Sequence, residues 1–419
     1  MKNEVFNARN SVLTSPIPKT DPRVFPSWPS FMQDEIDVVA SVLQSGRVNY
    51  WTGDEGRQFE QEFAEYCVCR YGVALSNGTV ALELALYALG IVPGDEVVTT
   101  SRTFIASASA VCMRGGIPVV ADIDPVSQNV SAETIRRVVT PRTRAIIAVH
   151  LAGWPCDMDP ILELAREFRL RVIEDCAQAH GATYKGRPVG SLGDAAAFSF
   201  CQDKIMTTGG EGGMLTTNDH DVWNRGWAFK DHGKSYDAIY NRNHPPGFRW
   251  LHESFGTNWR MTEMQAAIGR VQLRKLENWL RARRRNAAVL TRFFKSIPAL
   301  RVTEPSAEIE HAYYKYYVFI RPEMLKEGWG RDRIMGAIND EGIPCFSGSC
   351  SEIYLEKAFE GLDRPGSAHI PRLKVAKELG ETSLMFLVHP TLSAPDMMDT
   401  CRAVGKVFET ASKGFRQNG

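Results

Sequence analysis

The chain has no excess of charge of either sign. Lys and Arg together account for 49 of its 419 residues, and Asp and Glu account for another 49. A balanced chain creates no long-range field that would attract a polyanion, so neither nucleic acid nor an anionic membrane surface is an expected partner. Any recognition of phosphate must therefore be local, built from a few residues at one site.

Long apolar runs are missing as well. No stretch of about 18 consecutive apolar residues is available to cross a bilayer, and residues 1–10 lack the apolar core of a secretory signal. We therefore expect a cytoplasmic protein without a membrane partner.

The cysteines show no pairing pattern. Nine of them are scattered along the chain. Cys67 and Cys69 are too close in sequence for the usual zinc pair, and Cys345 and Cys350 have no second pair to complete a site. We expect no metal centre, and thiols that are reduced and buried.

Internal repeats and low-complexity segments are also absent, which excludes solenoid folds. The composition, 44% hydrophobic and 23% charged, is typical of folded globular proteins. A chain of 419 residues exceeds one ordinary core, so two domains are expected. We place a large domain at residues 1–280 and a smaller one at residues 281–419.

Short apolar segments alternate with helical patterns from residue 71 to residue 217. Seven segments are predicted strands: 72–75, 96–99, 117–121, 144–149, 171–173, 195–200 and 213–216. Because they are apolar at consecutive positions, both faces of their sheet are buried, as in parallel sheets. The pattern predicts an α/β large domain with a mostly parallel sheet covered by helices.

Two later regions differ from this pattern. Residues 231–256 are rich in Gly, Pro, Asn, His and aromatic residues and predict a long ordered loop of the kind that is usually functional. Beyond residue 298, predicted strands at 313–320, 343–346 and 384–388 are interspersed with predicted helices at 331–340, 371–379 and 396–410. This order predicts a small α+β domain.

Residues suited to binding pyridoxal phosphate are concentrated between residues 174 and 213. Asp175 follows one predicted strand and Lys204 follows another, so both side chains are expected at the same sheet edge. This cofactor requires a lysine for its aldehyde and a carboxylate for its ring nitrogen. Alone, the aspartate would more often cap a helix and the lysine would be solvated. Together they predict a cofactor site.

A phosphate site is indicated by Ser76, Asn77, Gly78 and Thr79, which lie between a predicted strand and an apolar helix. The first turn of a helix has free N–H groups and the positive end of the helix dipole. Gly78 allows close approach of the backbone, and the Thr79 hydroxyl adds a donor. A plain helix cap, with Ser76 or Thr79 as the capping residue, is an equal alternative for this tetrapeptide alone.

These motifs, together with segments 94–98, 103–106, 149–153, 209–213 and 258–267, resemble the vitamin B6-dependent nucleotide-sugar aminotransferases of the DegT/StrS type. The likeness covers nearly the whole chain. It implies fold type I of the aspartate aminotransferase superfamily, with an aspartate aminotransferase-like large domain and a smaller C-terminal α+β domain. It also implies that pyridoxal phosphate is the cofactor.

The resemblance implies a role for each matching residue. The cofactor set comprises the Schiff-base Lys204, the ring-nitrogen partner Asp175, Gln178 near the ring oxygen, Phe104 on the ring face, and Gly78, Thr79 and Ser199 at the phosphate. The asparagine that matches Asn258 reaches the neighbouring subunit's phosphate in that family, which implies a homodimer with shared active sites.

Candidate substrate contacts are His180, Arg260 and Arg102. Thr100, Ser101 and Arg102 occupy the positions where members of that family often carry a proline before the aromatic motif. The loop at 231–256 and the aromatic cluster at 311–317 are candidate substrate walls as well, although packing in the core or an interface is the favoured role of the tyrosines at 313, 314, 316 and 317.

The implied reaction transfers an amino group, from glutamate as the expected donor, to the keto group of a nucleotide-linked deoxysugar. A cyclitol or another non-nucleotide keto sugar is the alternative acceptor. Sugar dehydratases on this scaffold have histidine in place of Lys204, and ligand sensors usually lose the lysine or add a DNA-binding module. A nicotinamide dehydrogenase would need Gly-x-Gly-x-x-Gly after the first strand, which this chain lacks. The nucleotide, the sugar, the aminated carbon and its stereochemistry are left open.

Overall fold

The computed structural model describes residues 25–247, 249–362 and 372–415. Three parts of the predictions lie outside the described residues: residues 1–10, where a secretory signal would lie, residue 248 of the predicted loop, and residue 371 of a predicted helix. The described helices are α1 Gln33–Ser45, α2 Glu55–Tyr66, α3 Gly78–Ala88, α4 Ala106–Met113, α5 Ala132–Arg136, α6 Met158–Phe168, α7 His220–Phe229, α8 Tyr236–Tyr240, α9 Glu263–Phe294, α10 Arg331–Asp340, α11 Lys374–Thr382 and α12 Ala394–Ala411.

The described strands are β1 Tyr71–Leu75, β2 Glu96–Thr100, β3 Ile117–Ala121, β4 Thr143–Val149, β5 Arg171–Asp175, β6 Thr183–Tyr184, β7 Arg187–Pro188, β8 Ala195–Ser199, β9 Gly213–Thr217, β10 Leu300–Arg301, β11 Ile309–Glu310, β12 Tyr316–Ile320, β13 Cys345–Phe346 and β14 Ser383–Phe386. All seven strands predicted for the large domain are present, each within two residues of its expected ends.

A seven-stranded sheet in the order β1-β9-β8-β5-β4-β2-β3 forms the centre of the molecule. The pairings from β8 through β5, β4 and β2 to β3 are parallel, and β9 is antiparallel to both of its neighbours. The prediction of a mostly parallel sheet is confirmed. In the register of β5 and β8, Asp175 pairs with Ala197, so the carboxyl ends of these strands meet at one edge.

Helix α3 covers one face of this sheet. It is apolar nearly all round because it packs against β8 and β9 and also against α4 and α7. Burial on several sides makes every turn of the helix contribute to the core. Strands β1 and β8 run in the same direction, because both are antiparallel to β9, and β5 is parallel to β8. Helix α3 begins directly after β1, so its N-terminus lies at the same sheet edge as the ends of β5 and β8.

Helix α9 connects two separate cores. Leu276 and Leu280 belong to the core under the large sheet, whereas Ala287 and Leu290 belong to a second core. That second core lies against a four-stranded antiparallel sheet in the order β10-β12-β14-β13. One continuous helix therefore passes from the first core to the second. The domain boundary predicted at residues 280/281 falls inside this helix and not at the end of a helix or strand.

Two details differ from the sequence pattern. A three-stranded sheet, β11-β6-β7, is built from two-residue strands that are too short to show a periodicity. The region predicted as a loop at 231–256 contains the short helix α8, with Ser235 as its cap. Within the described part of the chain, every helix is too short or too polar to span a lipid bilayer.

Candidate active site

A cavity of about 850 Å³ lies at the carboxyl ends of β5 and β8, between the large sheet and the antiparallel sheet. Seven of the residues predicted for the cofactor line this cavity: Gly78, Thr79, Phe104, Asp175, Gln178, Ser199 and Lys204. Their placement follows from the topology, because ligands of open α/β sheets bind beyond the carboxyl ends of the strands.

One end of the cavity is formed by the first turn of α3. Asn77 caps this helix, and its Oδ1 accepts a hydrogen bond of 3.0 Å from the amide of Val80. The expectation that Ser76 or Thr79 would be the cap is therefore wrong. With Asn77 in that role, the amides of Gly78 and Thr79 in the first turn and the Thr79 hydroxyl are available to an anion in the cavity.

Gly78 lies against Ser199 at the end of β8. A Cβ atom on Gly78 would be 2.6 Å from the Cβ of Ser199, closer than two carbon atoms can approach. The absence of a side chain allows the helix N-terminus and the serine hydroxyl to line the same small cup. Backbone amides, the positive end of a helix and hydroxyls together form the donor set that phosphate requires.

Asp175, the last residue of β5, is 6% exposed. Its carboxylate accepts hydrogen bonds from the Ser107 hydroxyl, at 2.8 Å, and from the amide of Ala177, at 3.2 Å. Burial nevertheless raises the pKa of this carboxyl, although both hydrogen bonds and the charge of Lys204 oppose the rise. A protonated ring nitrogen beside the carboxylate would supply the cationic partner that the site lacks.

A buried pair supports the strand end that carries Asp175. The amide of Cys156 donates to His150 Nδ1 at 3.0 Å, so His150 Nε2 carries the proton that faces Glu174 Oε2, also at 3.0 Å. The Glu174 carboxylate also accepts three backbone amides, from Gly190, Leu192 and Gly193. One potential ligand atom from each of His150, Glu174 and Cys176 lies within 4.8 Å of the other two, but these hydrogen bonds already occupy the histidine and the carboxylate.

Gln178 has a fixed orientation. Its Oε1 accepts a 2.7 Å hydrogen bond from the amide of Ala152, so its Nε2 is left as a donor toward the cavity. Ala152 has φ +58°, a left-handed conformation that is uncommon for a residue with a side chain. This strained turn aims the amide at Gln178, and strain of this kind is typical of functional sites.

Lys204 has an aromatic and acidic environment. Its ammonium lies 5.2 Å from the centroid of the Tyr314 ring and 3.8 Å from Asp203 Oδ1. The Tyr314 hydroxyl donates to Asp203, and the indole of Trp28 donates to the backbone oxygen of Lys204 at 2.7 Å. These contacts hold the loop that carries the lysine.

Part of the cavity wall comes from the aromatic cluster at residues 311–317. Tyr314 and Tyr317 belong to buried cores, and they also line the cavity together with Lys315. Tyr316 belongs to the second core and does not line the cavity. Strand β12 begins at Tyr316, and successive side chains of a strand point to opposite faces, so Tyr317 faces the cavity while Tyr316 faces the core.

The predicted substrate contacts lie off the cavity wall. Arg102 is fully buried and donates to the Ser383 hydroxyl at 3.0 Å, with its guanidinium over the Tyr317 ring. His180 packs against Phe198 and Phe200, and burial lowers its pKa to about 3. Neither Arg102 nor His180 lines the cavity, so the prediction that they contact the substrate directly is not supported by the structure.

Arg260 and Asn258 also lie outside the cavity of this chain. Arg260 forms an ion pair with the buried Asp231, whose carboxylate also accepts from the Trp51 indole at 2.6 Å and from Lys234 at 3.0 Å. Asn258 forms a backbone bridge to Asp231 and is exposed. The buried carboxylate thus holds the segment that presents Asn258 at the surface.

The residues of the cavity fit pyridoxal phosphate. One end has the glycine-cleared amide and hydroxyl cup, the other has a buried carboxylate in need of a cation, and Lys204 reaches the same space. Phe104 is 68% exposed on this wall and offers a free aromatic face. The cup suits the phosphate, the carboxylate of Asp175 suits the protonated pyridine ring, and the amine of Lys204 suits the aldehyde.

The profile of the DegT/DnrJ/EryC1/StrS aminotransferase family matches residues 29–404. GDP-perosamine synthase of Caulobacter vibrioides is 38% identical over 399 residues, covering 92% of this chain and 99% of that protein. The dTDP-3-amino-3,4,6-trideoxy-alpha-D-glucose transaminase of Streptomyces venezuelae is 34% identical, covering 87% and 90%. An aminotransferase crystal structure from Psychrobacter cryohalolentis shares 55% identity at a TM-score of 0.90, covering 92% and 99%.

Proposed function

The chain belongs to the DegT/DnrJ/EryC1/StrS aminotransferase family, and from this premise we propose that it transfers an amino group from glutamate to the keto group of a nucleotide-linked deoxysugar. The observation that carries the proposal is the meeting of Lys204, Asp175 and the N-terminus of α3 in one cavity. Pyridoxal phosphate, the cofactor of this aminotransferase, supplies when bound an electron sink that acidifies the α-carbon of an amino acid.

Each residue of the cavity has a task in this proposal. The amine of Lys204 takes the proton from the α-carbon of the donor and returns it later in the reaction. Asp175 holds the ring nitrogen protonated by a charge-assisted hydrogen bond. The cofactor is positioned by the Gln178 amide at the ring oxygen, Phe104 on the ring face, and Gly78, Thr79 and Ser199 at the phosphate.

A nucleotide-linked acceptor is supported by two similar proteins. One is named for a GDP-linked amino sugar and the other for a dTDP-linked amino sugar. Both names describe an amine on a sugar that stays attached to its nucleotide. A cavity of about 850 Å³ falls within the usual range for small-molecule sites. The acceptor therefore proposed is a keto sugar whose nucleotide extends toward the cavity mouth.

A homodimer is part of the proposal. Asn258 is exposed and lies off the cavity of its own chain, which suits a residue that completes the site of a second copy. Nearby, Trp250 and Phe255 are 83% and 97% exposed. Large apolar side chains exposed in one region are commonly covered by a partner.

The experiment is a substrate panel. Purified protein loaded with pyridoxal phosphate is incubated with glutamate and GDP-, dTDP- or UDP-linked keto sugars or a keto cyclitol, and products are identified by mass spectrometry. We expect amination of at least one nucleotide-linked keto sugar, and none by Lys204→Ala. Amination of the cyclitol alone, or full activity of Lys204→Ala, would contradict the proposal.

A further inference from the structure

A second chamber of about 320 Å³ adjoins the large cavity beside Tyr314. The two spaces share five wall residues: Asp203, Tyr314, Lys315, Phe346 and Leu387. Trp28, Arg283 and His389 complete the far wall of the chamber. The chamber is therefore an extension of the site on the side of the antiparallel sheet, away from the N-terminus of α3.

Lys315 is the cation on the shared wall. Its ammonium lies 4.7 Å from the centroid of the Tyr314 ring, the same ring that Lys204 contacts at 5.2 Å. Among the described residues it forms neither an ion pair nor a side-chain hydrogen bond. The pKa of Lys315 is lowered to about 8, mainly by burial and also by the charges of Arg283 and Lys204, while the charge of Asp203 opposes the change. Lys315 is half-buried, and an ammonium that is partly removed from water and has no ion pair is costly.

Arg283 adds a buried cation to the wall of the chamber that Lys315 also lines. It is 1% exposed, and its Nη1 donates to the backbone oxygens of Tyr313 and Tyr314 at 3.3 and 3.2 Å. Its Nε and Nη2 have no hydrogen-bond partner among the described residues. The guanidinium therefore has donors to spare at a place where water is largely excluded.

The negative groups of the walls do not balance these cations. Asp203 is already engaged by the Tyr314 hydroxyl and lies 3.8 Å from Lys204. Burial lowers the pKa of His389 to about 3, so its ring is neutral near pH 7 and adds no charge. Glu211 lies on the wall of the large cavity only. With two cations, Lys315 and Arg283, and one carboxylate, Asp203, the wall of the chamber has a net positive charge and suits an anionic ligand.

We propose that Lys315, backed by Arg283, binds the α-carboxylate of the amino donor. This inference depends on the proposed aminotransfer, because it places the donor's α-carbon at Lys204. The carboxylate is bonded to that same carbon, so its binding cation must lie close to Lys204. Among the described residues that line the large cavity, Lys204 and Lys315 are the cationic side chains. The keto carbon of a sugar has no charge attached to it, so this subsite serves the donor.

The test separates the two half-reactions. Lys315→Met removes the charge and keeps the stem, and Lys357→Met removes an exposed surface charge as the matched control. We expect Lys315→Met to weaken glutamate in the donor half-reaction by about 30-fold or more, as followed by the cofactor spectrum. The acceptor half-reaction, begun from enzyme that already carries the amino group, should change less than about twofold.

Binding supplies a readout independent of turnover. Calorimetric titration with glutarate, a dicarboxylate that cannot react, should show binding to wild type and to Lys357→Met and a similar loss in Lys315→Met. Lys315→Arg, which keeps a cation, should retain most of the affinity. If Lys315→Met does not fold, Lys315→Gln replaces it in the same comparison.

Three results would overturn the inference. They are absence of glutarate binding to wild type, a donor half-reaction of Lys315→Met equal to that of Lys357→Met, and a loss that falls on the acceptor half-reaction. The last result would assign the cations to the diphosphate of the nucleotide. If wild type transfers from glutamate to no keto sugar, the proposed function fails, whereas the glutarate titrations still decide whether the carboxylate subsite exists.

Discussion

At the scale of single residues, burying the carboxyl of Asp175 in the site lowers the stability of the cofactor-free protein at neutral pH. Its carboxyl is buried at the end of β5, and its pKa is raised above the ordinary value of 3.8. The folded chain therefore holds this proton to higher pH than the unfolded chain. The free energy of unfolding of the cofactor-free protein falls as pH rises from below 3.8 through the raised pKa, and it stays lower above it.

Asp175→Asn removes this pH-dependent cost. We expect the cofactor-free variant to be more stable than wild type at pH 7 by about 1–2 kcal/mol, with no gain at a pH below the ordinary value. Adding pyridoxal phosphate should stabilise wild type much more than the variant, because only the carboxylate pairs with the protonated ring. Urea denaturation at both pH values, with and without cofactor, measures this. A variant that is less stable at pH 7 in the cofactor-free state would contradict the account.

Gly78→Ala tests the phosphate cup. The new Cβ would be 2.6 Å from Ser199, so the helix start or the serine must move. Such overpacking costs about 1–3 kcal/mol, and we expect cofactor affinity to fall roughly 10- to 100-fold. Gly336→Ala in α10 is the control, because its Cβ would meet nothing within 4 Å. Fluorescence titration with pyridoxal phosphate compares the two, and equal affinities would show that the cup is misassigned.

The residues found from sequence and those missed differ for a physical reason. Asp175 and Lys204 are predictable because each follows a buried strand, and the ends of neighbouring strands share an edge. Ala152 and Lys315 carry no such signal. The left-handed turn at Ala152 depends on the contact with Gln178, and the position of Lys315 depends on how β12 meets the large cavity. Tertiary contacts of this kind leave no periodicity in the sequence.

At the scale of elements, the sheet was predictable and the connections were less so. Strands buried on both faces are continuous apolar runs, which is why seven of them could be located. The two-residue strands of the small sheet have no run to detect. The apolar spacing of Ala266, Val271, Leu276 and Leu280 predicts a long helix here. It does not predict the passage of α9 from one core to another, which follows from the placement of Leu280 and Ala287 in different cores.

The segment before α9 depends on one buried carboxylate. Asp231 is fully buried and pairs with Arg260, while its backbone bridges Asn258. We expect Asp231→Asn to lower the free energy of unfolding by about 3 kcal/mol, since it removes the charge that balances the largely buried side chains of Arg260 and Lys234. The control is Glu167→Gln, whose pair with Arg136 has both side chains 51% exposed, and its effect on the free energy of unfolding should be much smaller. Similar losses in denaturation experiments would contradict this difference.

At the scale of the whole molecule, the proposal of shared sites predicts complementation. Lys204→Ala and Asn258→Ala each damage a different half of a composite site, so each should be inactive or nearly so alone. Random mixing yields heterodimers with one intact site, and about a quarter of wild-type activity should return. Native mass spectrometry verifies the exchange of subunits. Heterodimers that form without any recovery of activity would refute the assignment of Asn258 to the partner's site.

The central claim is that Lys204 is the lysine that binds the cofactor, in the cavity that also contains Asp175 and the N-terminus of α3. Borohydride reduction of the loaded protein, followed by proteolysis and mass spectrometry, tests it most directly. We predict that the mass of the cofactor is added to the peptide containing Lys204 and to no peptide of Lys204→Ala. Attachment to Lys315 or to another lysine, or no attachment at all, would contradict the account.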